Sequence, residues 1–136
     1  MHVQPYLFFD GRCDEAIEFY KKAIGAQVQM LMRFKDSPQS NDEYAPADKN
    51  KVMHAQVRVG ETTVLMSDGE CHGKPAFEGF ALSIYASNEA EAEKLFNALA
   101  EGGQVKMPLA KTFFSPRFGM LNDRFGVMWM VLVKTA

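Results

Sequence analysis

Two stretches decide the fold: Glu15 to Ala26, EAIEFYKKAIGA, and Glu93 to Gly103, EKLFNALAEGG. In the first, Ala16, Ile17, Tyr20, Ala23 and Ile24 recur at three- and four-residue spacing, with acids early, Lys21 and Lys22 late, and Gly25 beyond. That pattern predicts an amphipathic helix with a glycine stop. In the second, Ala92, Leu95, Phe96 and Leu99 form the apolar stripe, Ser87 or Asn88 offers a cap, and Gly102-Gly103 stops the helix. Superposing Gly25 on Gly102, 77 positions later (102 − 25), also brings Phe19-Tyr20 onto Phe96-Asn97.

The flanking segments repeat in the same order. Val3 to Phe9 is a short aromatic-rich apolar run closed by Asp10-Gly11, a strand ending in a turn. After the first helix, Gln27 to Phe34 alternates polar and apolar as a half-covered strand does, and Lys35 to Asn50 reads as a loop. Lys51 to Val59 places Met53, Ala55, Val57 and Val59 on one face and His54, Gln56 and Arg58 on the other. Gly60-Glu61 then predicts a two-residue hairpin turn into Thr62 to Ser67. Around the second helix, Phe80 to Ala86, Gln104 to Thr112, Arg117 to Leu121 and Val127 to Val133 read as strands, the last two joined by Asn122 to Gly126. The fold class is therefore α+β, two βαβββ modules in one domain over 1–136: module one about 1–69, a connection about 70–78, module two about 79–136. A supersecondary unit that cannot bury its apolar face alone explains why two copies share one chain.

Composition narrows the partners. Of the 136 residues 47% are hydrophobic and 24% charged, as in chains that bury a core, and a net charge of −2 without a Lys/Arg cluster argues against nucleic acid. No apolar run reaches the roughly 20 residues of a membrane span, and the start MHVQPYLFFDG lacks the basic and apolar regions of a signal peptide. A cytoplasmic chain follows as the expectation, with Cys13 and Cys71 as free thiols.

Pro5 to Gly11 (PYLFFDG), Glu15 to Ala26, Met53 to Gly60 (MHAQVRVG), Leu65 to Asp68 (LMSD) and Phe118 to Val131 (FGMLNDRFGVMWMV) together resemble the vicinal oxygen chelate superfamily of glyoxalases, bleomycin-resistance proteins and dioxygenases. Within it they resemble the PhnB-like branch once labelled demethylubiquinone methyltransferase. The resemblance implies a curved, cupped mixed sheet with helices outside and a ligand cavity inside. In metal-dependent relatives, His and Glu on inward strand positions hold a divalent cation. The matching positions here fall at Gln4, near Met66 or Ser67, near Ala81, and at Met130, so no cofactor and no metal site of the glyoxalase type is expected, with Asp68 the nearest carboxylate. Pairing of two copies is implied as well. The methyltransferase label is discounted, because Asp10-Gly11-Arg12 supplies a single glycine where a doubly wound methyltransferase needs a glycine-rich turn.

The candidate ligand-binding residues are Gln4, Tyr6, His54, Gln56, Asp68, Phe114, Arg117 and Met130. His54 and Gln56 with Arg58 either line the cup, to bind an anionic or carbonyl ligand or transfer a proton, or form a solvent-facing strand edge. Arg117, near Phe113-Phe114, either clamps a carboxylate or stays at the surface. Cys71-His72 is either a metal pair or a plain loop, and Cys13 at a helix start is either an activated or an incidental thiol. Trp129, Met128 and Met130 either pack between sheet and helix or line the cavity floor. The leading functional expectation is a metal-free small-molecule binding protein that forms a homodimer. The rival is an enzyme of the same superfamily, a lyase, isomerase or dioxygenase, using a divalent metal or His54 and Asp68 as acid and base. A purely structural module is the third reading.

Overall fold

A computed structural model describes residues 1–37, 46–69, 71 and 73–134. The chain divides into two compact units, Met1–Pro75 and Ala76–Ala136.

The first unit contains β1 (Tyr6–Phe8), α1 (Cys13–Ile24), β2 (Gln27–Arg33), a 3-10 turn (Phe34–Asp36), β3 (Val52–Val59) and β4 (Thr62–Ser67). Its mixed sheet has the order β1-β4-β3-β2, with β1 parallel to β4. Strand β1 is shorter than the apolar run predicted. Pro5 has no N–H to give the ladder, although its carbonyl still accepts from Leu65 N at 2.9 Å. Alternation divides the sheet into two faces: Leu7, Ala55, Val57, Val64 and Met66 are buried, as are Ala16, Ile17 and Tyr20 of α1. Each such large apolar side chain contributes about 1.5–3 kcal/mol by leaving water. The two-residue turn between β3 and β4 is present, with Gly60 at φ +58°.

The second unit repeats the order with β5 (Leu82–Ala86), α2 (Glu89–Ala100), β6 (Gln104–Ala110), β7 (Phe118–Asn122) and β8 (Met128–Val133), in a sheet ordered β5-β8-β7-β6. Ala92, Phe96 and Leu99 of α2 are buried, as are Leu121, Trp129 and Val131 of the sheet. Gly119 marks a close approach of helix to sheet, since a Cβ there would lie 2.7 Å from Cε2 of Phe96.

The helix stops differ in a way the repeat offset conceals. Gly25 ends α1 in the left-handed conformation, φ +69°. Helix α2 ends at Ala100, followed by Glu101 at φ −62°, ψ 120° and Gly102 at φ +76°, while Gly103 N donates to Ala100 O at 2.9 Å. Those angles are a type II turn. The helices thus stand 76 positions apart (89 − 13), and the strands after them 77 (104 − 27). The turn absorbs the extra residue.

Candidate functional site

In the first unit the sheet face opposite the buried one carries Tyr6, Leu65, Gln56 and Met30 as one register row, with His54 opposite Met32 beside it. Tyr6 Oη and His54 Nδ1 are hydrogen-bonded at 2.9 Å, and the Tyr6 ring stacks on Phe8 with centroids 4.7 Å apart. When the phenol donates, Nδ1 accepts and the imidazole proton sits on Nε2, a second donor. Tyr6 is 36% and Phe8 52% exposed. An apolar platform carrying a polar pair is suited to holding a planar or carbonyl-bearing molecule.

Of the sequence candidates, Tyr6, His54 and Gln56 share this face. Gln4 precedes β1. Asp68 has a different task from the ligand contact expected of it: it is 1% exposed, and its Oδ1 accepts from Gly11 N and Cys13 N, each at 2.8 Å, while Oδ2 accepts from Val52 N at 2.8 Å. A carboxylate occupied by three backbone donors ties loop, helix start and strand together. Acid–base use of Asp68 alongside His54 is corrected on the same ground.

In the second unit Met130 lies opposite Ser83 of β5, whose hydroxyl stands 3.7 Å from its sulfur, and Ala81 precedes that strand. Arg117 is engaged, its Nη2 donating to Glu93 of α2 and its Nη1 to Leu109 O at 3.4 Å. Phe114 packs edge-on against Phe118, centroids 5.0 Å apart. Trp129 donates to Oδ2 of buried Asp123 at 2.9 Å, a partnership the sequence reading missed, although Asp in an NDRFG turn six residues before a Trp could have signalled it.

Neither cysteine is an activated thiol. Burial pushes the Cys13 thiol up, and neighbouring Asp68 and Asp14 add to this, outweighing the lowering pull of Arg33. Burial raises Cys71 too, and its Sγ lies 3.7 Å from Asp68 O. His72, its expected partner, lies outside the described residues.

The donor set does not fit a hard divalent cation. Met66 is buried on the helix side of its sheet, Ser67 is buried beside it, and Ser83 and Met130 present a hydroxyl and a thioether. Among the described residues no three His, Cys, Asp or Glu side chains gather, and no helix is long and apolar enough to cross a membrane.

Two mixed four-stranded sheets, each with one helix, define the class: the glyoxalase/bleomycin-resistance/dioxygenase fold. A domain of that description from Frankia sp. superposes with TM-score 0.69 at 13% identity, covering 98% of this chain and 95% of that one. More narrowly, residues 1–132 match the family described as 3-demethylubiquinone-9 3-methyltransferase, and the chain belongs to that family. Protein PA1353 from Pseudomonas aeruginosa is 42% identical, with TM-score 0.86 over 100% of this chain and 99% of that one. Protein YjdN of Escherichia coli is 33% identical over 98% of this chain and 95% of its own length. A PhnB protein from Bacillus cereus is 27% identical, with TM-score 0.80 over 98% and 99% of the two chains.

Proposed function

We propose that the chain is a small-molecule binding protein that works without a divalent cation and receives its ligand on the open face of the first sheet. The observation that carries this reading is the Tyr6–His54 hydrogen bond beside the Tyr6–Phe8 stack on an exposed sheet face. Tyr6 and Phe8 supply area, the pair supplies directional polar contacts, and Gln56 extends them along the row. The class supports it too, since one relative by fold is described as a fosfomycin resistance protein, from Listeria monocytogenes. The activity in the family's description lacks its usual architecture, because both sheets here are mixed and four-stranded rather than doubly wound and parallel. A homodimer in the cytoplasm belongs to the reading. Within its own sheet β6 is an edge strand exposed at nearly every position, the kind of edge a second copy can cover.

A thermal-shift screen of aromatic, amphipathic and drug-like compounds tests the proposal, with Tyr6→Phe and His54→Ala beside the wild type. Stabilising compounds are expected whose shift falls by more than half in both variants. No stabilising compound, or shifts unchanged in both variants, refutes it. Stoichiometric zinc, nickel, iron or manganese in protein purified without chelator refutes the cation-free part. Light scattering at micromolar concentration checks the dimer, which a monomeric mass rules out.

A further inference from the structure

Strands β1 to β4 contain no Asp or Glu, and their only Lys or Arg residues are Arg33 and Arg58. Arg33 is neutralised by Asp14. Arg12, Arg117 and Arg124 are ion-paired too, with Glu15, Glu93 and Glu101, whereas Arg58 makes no ion pair among the described residues. Arg58 follows His54 and Gln56 at two-residue spacing, so it stands on the open face that holds the Tyr6–His54 pair. Its Nε donates to Gly60 O at 2.9 Å, which leans the side chain toward the hairpin turn, and it acts on that face through its field rather than by contact.

The polar groups nearer the aromatic platform keep hydrogen-bonding capacity to spare. Tyr6 brings one proton and the neutral imidazole of His54 another, and the 2.9 Å bond between Oη and Nδ1 uses one of the two. One proton therefore remains in either tautomer, on Nε2 when the phenol donates and on Oη when the imidazole does. The side-chain amide of half-buried Gln56 makes no hydrogen bond among the described residues. Its Cα stands roughly 7 Å along the strand from that of His54, a spacing that two side chains of this length bridge with one carboxylate between them.

We propose that the ligand of this face is a planar aromatic carboxylate, its ring lying on Tyr6 and Phe8 and its oxygens taking the remaining proton of the Tyr6–His54 pair and the Gln56 amide. The inference rests on the binding reading above and names the class of ligand. Hydrogen bonds to a charged acceptor are about twice as strong as neutral ones. A face without a carboxylate and with one unpaired guanidinium adds attraction for an anion. An ammonium group, by contrast, finds no carboxylate here and meets the field of Arg58. The ring faces that would draw it by cation–π attraction are the ones the ligand's own ring covers.

Four probes of similar shape separate the contributions: 2-naphthoate, 2-acetylnaphthalene, naphthalene and 2-naphthylmethylammonium. Each is titrated into the full chain at low salt and followed through the backbone amide NMR signals of His54 and Gln56. Naphthoate is expected to bind tightest, about tenfold tighter than naphthalene, with the ketone between them and the ammonium compound no tighter than naphthalene. Tyr6→Phe combined with His54→Phe keeps both rings and removes both protons, so naphthoate is expected to lose about fivefold while naphthalene loses nothing. Arg58→Gln is expected to weaken naphthoate about twofold and leave the ketone unchanged. Should the double variant fail to fold, the order of the four probes in the wild type decides alone. Naphthalene, the ketone or the ammonium compound binding as tightly as naphthoate overturns the proposal while the binding reading stands, and so does a naphthoate affinity untouched by the substitutions. Signals that move with none of the four compounds overturn both.

Discussion

Helices α1 and α2 are both 12 residues long, yet the N–H groups of their first turns are satisfied from different distances. Asn88 caps α2 locally, its side chain accepting from Glu91 N at 2.8 Å. Arg12 gives α1 no side-chain cap, and the N–H of Cys13 is taken by Asp68, 55 residues away in sequence. The second unit has its own buried carboxylate, Asp123, and three donors to it, Phe125 N, Val127 N and Trp129 Nε1, lie within the next six residues. The same chemistry therefore closes a turn in one unit and joins three separated segments in the other. A local cap can form in a fragment, whereas Asp68 can act only after the sheet has assembled.

Removing Asp68 should have the largest effect. Asp68→Ala leaves the buried N–H groups of Cys13 and Val52 and the part-buried N–H of Gly11 without a partner and is expected to cost about 4 kcal/mol, read as a lower urea midpoint. Asp123→Ala should cost less, about 2 kcal/mol, because a single turn can reopen to water while the sheet persists. If the two costs are equal, the distinction between long-range and local ties fails. Asn88→Ala should cost about 1 kcal/mol and act on α2, visible as faster amide exchange in its first turn.

The smallest effect concerns the ion pair that anchors the other side of α1. Asp14 receives both Arg33 Nη groups, at 2.8 and 2.9 Å, and the Arg33 hydrogen bonds hold its carboxyl below the usual carboxylate range. Its contribution is thus present above the unfolded value near 3.9 and is lost as pH falls through the lower folded value. With Asp14 52% exposed, solvent screening reduces this to a few tenths of a kcal/mol. Asp14→Asn should be slightly less stable than wild type at pH 7, with the gap closing as pH falls below the usual carboxylate range and through the lowered folded value, checked by urea midpoints across that range. A gap that persists in acid would assign the effect to packing instead.

Periodicity made the helices, most strand positions and the face carrying His54 and Gln56 legible, because local steric and burial preferences repeat every 3.6 or 2 residues. It also revealed the repeat, though not that one helix ends in a single left-handed glycine and the other in a two-residue turn. The pairings that define candidate sites were not legible in the same way. Tyr6 meets His54 across 48 residues, and only through strand register. Asp68 looked like an available carboxylate beside a strand, but the carboxylate is consumed by N–H groups from both earlier segments it joins. By itself the sequence determined the element order, the amphipathic faces and a cap for α2 at Ser87 or Asn88, all set by near neighbours. Only the tertiary structure decided which distant side chains meet and which buried polar groups are already satisfied, because those depend on register and on donors contributed by distant parts of the chain.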